Sequence, residues 1–147
     1  MIKDDEPRYL LDTNIVSEIV KYAPEFSVIK KISEHVSDMA ISVLSWHELV
    51  YGVENLPDGI RKRELAKFVY DDVEQTFPMK NFSKEAAEIH AKIRASLETK
   101  GSIPPYSDTQ IAAIAIAEDM TLVTRNTKHY ESIAAQFGLK MENWFEG

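Results

Sequence analysis

Three acids and their immediate neighbours carry the chemistry that can be read before any fold is known. Asp12 ends the apolar run Tyr9-Leu10-Leu11 and precedes Thr13-Asn14. Glu48 closes Ser45-Trp46-His47-Glu48, and Asp108 sits in Ser107-Asp108-Thr109-Gln110. Both tetrapeptides have a serine followed three residues later by Glu or Gln, the pattern of a helix-opening capping box. Ile111, Ala112 and Ala115 follow Asp108 at helical spacing, so its carboxylate lies in line with an apolar stripe. A carboxylate aimed along a buried face is costly unless it is paired or binds a metal. Taken alone, Asp108 also reads as an acid favoured by the dipole at a helix N-terminus. Glu48 lies roughly opposite the stripe Trp46, Leu49, Val50 and Val53, and alone reads as a capping or solvated glutamate.

The elements that must position these acids alternate between strand and helix. A strand over Tyr9-Leu10-Leu11 leads to a helix over residues 15–21, broken by Pro24, and a second helix over residues 26–36. A second strand over residues 39–43 leads to the helix that Ser45 opens, and Pro57-Asp58-Gly59 is a turn. Residues 60–74 are an amphipathic helix with Leu65, Phe68, Val69 and Val73 on one face. Phe77-Pro78-Met79 is a short strand whose proline predicts a sheet edge. Ser83 caps a long helix to about Lys100, with Gly101 ending it. Pro104-Pro105 leads rigidly into the helix that Ser107 opens. Residues 121–124 form a fourth strand, residues 128–137 a last helix ended by Gly138, and residues 139–142 a fifth strand. This order predicts a single domain over residues 1–147, an α/β fold with a mainly parallel sheet of about five strands and helices on both faces.

In an open parallel sheet, sites form beyond the carboxyl ends of the strands. Asp12, Glu48 and Asn126 fall there directly. Asp108 joins them if the long helix ends near that edge. Carboxylates gathered at one edge repel one another, and burial worsens the cost. A hard divalent cation, Mg²⁺ or Mn²⁺, removes both problems and accepts phosphate oxygens. Rival chemistries are missing. No glycine-rich phosphate loop is present, no serine sits in a nucleophile-elbow pattern, and His35, His47, His90 and His129 lack zinc-ligand spacing.

Composition narrows the class further. The chain has 147 residues, no cysteine and a formal net charge of −7. The acidity argues against a module that grips nucleic acid by charge alone, but suits a site that must hold cations. The lack of cysteine excludes disulfides and thiol nucleophiles and permits a reducing compartment. No apolar run is long enough to span a membrane. The start Met1-Ile2-Lys3-Asp4-Asp5-Glu6-Pro7-Arg8 is too charged for a secretory signal, which predicts a cytoplasmic protein.

Four segments in order carry a resemblance. They are Leu10-Leu11-Asp12-Thr13-Asn14, residues 45–52, Asp108-Thr109-Gln110-Ile111-Ala112-Ala113, and Leu122-Val123-Thr124-Arg125-Asn126-Thr127. Together with Gly138-Leu139-Lys140-Met141-Glu142-Asn143-Trp144 they resemble PIN-domain ribonucleases, and among them the VapC toxins of bacterial toxin–antitoxin pairs. The resemblance implies a PIN-like three-layer α/β/α fold, Mg²⁺ or Mn²⁺, and endonucleolytic cleavage of RNA. It also implies a homodimer and inhibition by a cognate, VapB-like antitoxin. Carried over by position, Asp12, Glu48 and Asp108 are the catalytic, metal-binding acids, with Thr13 or Asn14 assisting at the first motif and Thr124 at the last. His129 stands where a further aspartate is common, and Asn126 is polar but neutral, which puts a second metal in question. His129 also reads as a surface histidine at a helix start.

Lys80, Lys84 and Arg125 are the candidates for RNA phosphate contacts. Arg61-Lys62-Arg63 reads rather as a solvated helix end. Two other classes compete with a nuclease. A Mg²⁺-binding phosphoacceptor signalling domain needs paired acids beside its aspartate and a lysine after a late strand, yet Asp4-Asp5 precede the first strand here. A catalytically weak PIN fold acting only through a protein partner is kept open by the neutral residues after the fourth strand.

Overall fold

Short buried strands dictate the architecture. The computed structural model describes residues 6–101 and 103–146, so Met1-Ile2-Lys3-Asp4-Asp5 lie outside the described residues. Five strands, β1 (Tyr9–Leu11), β2 (Met39–Ser42), β3 (Met79–Lys80), β4 (Thr121–Val123) and β5 (Lys140–Glu142), form one sheet in the order β3-β2-β1-β4-β5. Every neighbouring pair is parallel. β3, with Pro78 before it, is an edge strand, as its missing N–H requires. Leu11 pairs with Ile41 and with Val123, so the chain leaves the three inner strands at one level.

Side chains alternate across the sheet with period two. Leu10, Ala40 and Leu122 face one core, packed beneath α6 (Lys84–Glu98), α7 (Tyr106–Ala117) and α8 (Glu131–Phe137). Leu11, Ile41 and Val123 face the other, under α1 (Thr13–Val16), α2 (Phe26–Glu34), α3 (Val43–Glu54) and the helix that begins with α4 (Ile60–Lys67). Burial on both faces is what makes these strands uniformly apolar. This is the three-layer α/β/α arrangement expected from the alternating pattern.

Several boundaries differ from the sequence expectation, each for a local reason. The first helix begins at Thr13, two residues early, because Asp12 itself is the N-cap and its carboxylate accepts the Thr13 N–H. It continues as a 3₁₀ turn over Ser17–Val20. α3 begins at Val43, and its N-cap is Ser42 instead of Ser45. The Ser42 hydroxyl accepts the Ser45 N–H at 3.1 Å, so the capping box expected at Ser45 does not form and Glu48 falls in the second turn. α7 begins at Tyr106, directly after Pro105, and lacks a side-chain cap; the box expected at Ser107 does not form either. Pro105 is already extended and its carbonyl accepts the Thr109 N–H, so the rigid lead-in moves the helix start two residues back from the one a Ser107 cap would give.

The helix expected over residues 60–74 is interrupted. After α4 the chain widens into a π turn over Phe68–Val73 before α5 (Glu74–Thr76). The widening keeps Phe68, Val69 and Val73 all inward. The last helix is likewise split into a 3₁₀ turn over Thr127–Tyr130 and α8, which Gly138 ends with a left-handed φ of 73°. Trp144, fully buried beyond β5, stacks on His35 and anchors the C-terminal turn under α2.

The cap assignment is testable. Ser42→Ala should cost about 1 kcal/mol in urea unfolding, the usual effect of losing an N-cap. Ser45→Ala should leave stability near wild type, because the Ser45 hydroxyl is buried without a partner. The opposite order would restore Ser45 as the cap.

Candidate active site

Asp12 is the centre of the site. β1 ends at Leu11, and the next residue turns the chain into α1 while its backbone N–H still bonds the Val123 carbonyl. Asp12 is 7% exposed. Its Oδ1 accepts the Thr13 N–H at 2.8 Å, and Oδ2 accepts the Thr124 hydroxyl at 2.9 Å across the β1–β4 pair. Asn14 Nδ2 reaches Oδ2 only at 3.5 Å, while Asn14 Oδ1 accepts the Arg125 N–H at 3.2 Å. Thr124 in turn accepts the Asn126 N–H. Thr13, Asn14, Thr124 and Asn126 therefore belong to one hydrogen-bonded rim around Asp12. Asn126 itself is exposed.

Glu48 and Asp108 arrive from different layers. Glu48 comes from α3 over one sheet face, half-buried, and Asp108 from the first turn of α7 over the other, with its side chain 23% exposed. Their charges reach one another. Burial pushes the Asp12 carboxyl above its usual range, against the Thr124 and Thr13 bonds, and the Asp108 charge adds to the rise. Burial likewise raises Glu48, and the charges of Asp12 and Asp108 add to it. Thr13 draws Glu48 back slightly, though its buried hydroxyl meets no partner at hydrogen-bonding geometry. His129 Nδ1 stands 3.5 Å from Asp108 Oδ2 and is half exposed, so it flanks the site from the rim.

The first turn of α7 is held from behind instead of being capped. Thr109 is fully buried, and its hydroxyl donates to the Tyr106 carbonyl at 2.8 Å. With that proton committed, the 2.8 Å contact to His90 must be donated by His90 Nε2–H. Burial and the nearby Arg94 charge push the His90 pKa down, which favours this neutral form. The bond ties α6 to the turn that carries Asp108, and so brings the long helix to the sheet edge as the placement of Asp108 requires.

The remaining candidates separate. Arg125 follows β4 beside the rim, with its guanidinium over the Phe145 ring at 4.4 Å. Lys80 is not brought to the acids: its ammonium pairs with Glu118, at the far end of α7 from Asp108, and with Glu6. Lys84 is exposed on the first turn of α6. Tyr130 is a site residue that sequence reasoning misses, because an aromatic beside His129 gives no polar signal. It is fully buried, and burial together with the charges of Asp12, Asp108 and Glu48 holds its phenol proton firmly.

The donor set suits a hard cation held loosely. Among the described residues no three His, Asp or Glu side chains close into a ready cage. The three acids supply oxygen donors only, and the buried hydroxyls of Thr13 and Tyr130 have no partner among the described residues. Mg²⁺ uses one or two carboxylates, keeps waters and takes the rest from substrate phosphate, so an open set fits it. No lysine or arginine is bonded to Asp12, Glu48 or Asp108 among the described residues.

Sheet order and acidic crest together define a parallel α/β domain whose carboxylates converge from both helical layers onto the end of its central strand. The chain belongs to the PIN domain family, whose model matches residues 9–135. It is 32% identical to Ribonuclease VapC2 of Rickettsia felis over 138 residues, 92% of this chain and 97% of that one. It is 31% identical to Toxin FitB of Neisseria gonorrhoeae, over 80% of this chain and 87% of that one. Among solved structures it superposes on VapBC2 from Rickettsia felis, bound to a DNA fragment from their promoter, with a TM-score of 0.78 and 32% identity, covering 92% of this chain and 98% of that one.

Repulsion among the acids sets a pH dependence. The raised Glu48 pKa means that the folded state takes up a proton more readily than the unfolded one. Glu48 therefore weakens the cation-free fold at neutral pH, and the penalty fades as pH falls through the raised pKa toward the ordinary carboxylate range. Glu48→Gln should raise the melting midpoint in EDTA at about pH 7, with the gain shrinking on acidification. A lower midpoint at neutral pH would make Glu48 a structural acid. Asp12→Asn is the poorer probe, since an amide oxygen cannot accept from both Thr13 and Thr124 as two carboxylate oxygens do.

Proposed function

We propose that this chain is a divalent-metal-dependent endoribonuclease, the toxin of a type II toxin–antitoxin pair. The observation that carries the reading is the convergence of Asp12, Glu48 and Asp108, from three different elements, with no lysine or arginine paired to them among the described residues. The ribonuclease and toxin names of the relatives at about 30% identity support the RNA-cleaving class. Asp12, Glu48 and Asp108 would hold Mg²⁺ or Mn²⁺. Bound there, the cation would lower the pKa of a water and stabilise charge developing on the phosphodiester.

The chain's own groups do the rest. Thr124 and the Thr13 N–H fix the Asp12 carboxylate. The His90–Thr109 bond fixes the turn under Asp108. Asn14, tied to the Arg125 backbone, holds the β4 exit beside the site, so that Arg125 can meet a phosphate of the bound strand. Cleavage would proceed by attack of water on phosphorus with loss of a ribose oxygen and no covalent enzyme intermediate. We place the activity in the cytoplasm, where such a substrate is met; no helix among the described residues is long and apolar enough to cross a membrane.

A protein partner is part of the same reading. Tyr51 is 61% exposed on α3, and Tyr70, 42% exposed, meets Trp46 edge-on. A cavity of about 610 Å³ opens between the 3₁₀ turn after α1, α2 and the π turn, lined by Ile19, Val20, Ile32, Phe68 and Val73 together with the charged Glu64, Lys67 and Asp72. A cognate antitoxin would cover such a surface and reach the acids with an arginine, whose fork matches carboxylates. A homodimer would use another part of the exposed aromatic face.

Asp12, Glu48 and Asp108 acting through one cation should be non-additive. Asp108→Asn or Glu48→Gln should each lower RNA cleavage by orders of magnitude, and Glu48→Gln/Asp108→Asn should be little worse than either. Sequencing RNA 5′ ends after brief induction, wild type against Asp108→Asn, reads the cut sites. Full metal-dependent cleavage by pure Asp108→Asn protein would sink the mechanism. Excess Mn²⁺ should also stabilise the wild type over its EDTA form, by about 2.7 kcal/mol at a hundredfold excess over Kd.

A further inference from the structure

Asp108 takes its direction from the rotation of α7, and no side chain among the described residues caps the start of that helix. Something else must set how the first turn is rotated. α6 grips it at two levels. His90 holds Thr109, with 2.8 Å between the ring nitrogen and the hydroxyl. One turn further along α6, Arg94 reaches the lead-in, where its Nη1 donates to the Pro104 carbonyl at 3.3 Å. Its guanidinium also lies over the Tyr106 ring, 4.9 Å from the centroid, and the His90 ring meets the same ring edge-on at 4.8 Å.

Neither Arg94 nor Tyr106 is explained by burial or by surface pairing. Tyr106 is 59% exposed, so the core does not need its ring. Arg94 pairs with Glu98 at 3.1 Å, but that partner is exposed and one turn away on the same helix, a contact worth little. The Arg94 side chain is only 21% exposed, and its Nε is buried without a partner among the described residues. The guanidinium is drawn inward, against the lead-in carbonyl and the ring.

Helix geometry turns these contacts into a statement about Asp108. Successive residues are about 100° apart around the axis. Tyr106 and Thr109 are three apart and share the side that α6 contacts. Asp108, two residues on from Tyr106, projects about 200° round from it and so away from that side. Gripping Tyr106 and Thr109 from one side fixes the angle at which the carboxylate leaves the other.

We propose that Arg94 and Tyr106 are positioning residues of this site: with the Pro104 carbonyl they form a clamp that sets the rotation of the first turn of α7, and with it the direction in which Asp108 meets a divalent cation. The inference rests on the cation-dependent reading above.

Arg94→Met keeps the stem and removes the guanidinium. Tyr106→Leu removes the ring, Tyr106→Phe keeps it, and Glu98→Gln neutralises only the exposed partner of Arg94. Mn²⁺ affinity of the full chain, by calorimetry well below the melting midpoint in EDTA, is the deciding measurement, with RNA cleavage beside it. Affinity should fall about tenfold in Arg94→Met and in Tyr106→Leu, the lower end of what outer partners of metal ligands contribute. The double variant should be little worse than either, because both act on one turn. Tyr106→Phe and Glu98→Gln should match the wild type. Loss of a positive charge by itself favours a cation, so a fall in Arg94→Met cannot come from net charge. Wild-type affinity in Arg94→Met and Tyr106→Leu, with or without a lower melt, would make the clamp a structural brace and overturn the proposal. An equal fall in Glu98→Gln, or fully additive losses, would overturn it too. If affinity falls as expected while no form cleaves RNA, the ribonuclease reading fails and the clamp stands. If the wild type binds no Mn²⁺, both fall together.

Discussion

One ionisable group at the end of the central strand constrains everything around it. Asp12 is all but buried, and its chain position leaves no freedom: β1 has partners on both sides, so the carboxylate must emerge where β1 stops. A buried carboxylate in that place needs donors. The fold supplies them from the two chain segments that cross the crest, Thr13 at the start of α1 and Thr124 at the exit of β4. Glu48 and Asp108 then bring like charge, which the same donors cannot offset. The cluster is a liability for the folded chain alone, and that is the physical reason for assigning it to a cation.

The fold was legible because burial on both sheet faces writes apolar strands and the intervening helices write stripes. The parallel sheet between two helical layers and the edge position announced by Pro78 follow from that pattern, whereas the order β3-β2-β1-β4-β5 does not, because alternation of strand and helix leaves open which strands are neighbours. The caps were less legible. Ser42 and Ser45 are three residues apart, and Glu48 gives Ser45 the signature of a capping box, but the chain has already turned at Ser42. Ser107 offers the same lure, and Pro105 overrides it. A π turn leaves no mark in a hydrophobic pattern, because Phe68, Val69 and Val73 fit one helical face before and after the extra residue is absorbed.

At the site, the acids could be read from motif and strand end, whereas what holds them could not. The His90–Thr109 bond joins residues far apart in the chain, and nothing in either neighbourhood announces it. Tyr130 is hidden for the opposite reason, since an aromatic at a strand–helix junction is ordinary core until its hydroxyl is found buried without a partner among the described residues. Lys80 shows the converse error: a basic residue after a strand suggests phosphate, yet its charge is spent on Glu118 and Glu6.

These placements bear on how an acidic protein would handle a polyanion. With Lys80 committed elsewhere, charge attraction at the crest rests on Arg125, on the exposed Lys128 of the turn after β4, and on whatever cation the acids hold. Arg125 is itself restrained, its ring contact with Phe145 and its backbone bond to Asn14 setting where the guanidinium stands. An open set of carboxylates binds a cation incompletely, and a phosphate oxygen is the natural ligand to complete it. Cation and substrate would then bind better together than apart, and the net charge of −7 would discourage strands that reach the surface without completing that set. Selectivity in such a site would come from the geometry around Asp12, because a net charge of −7 offers no general attraction for nucleic acid.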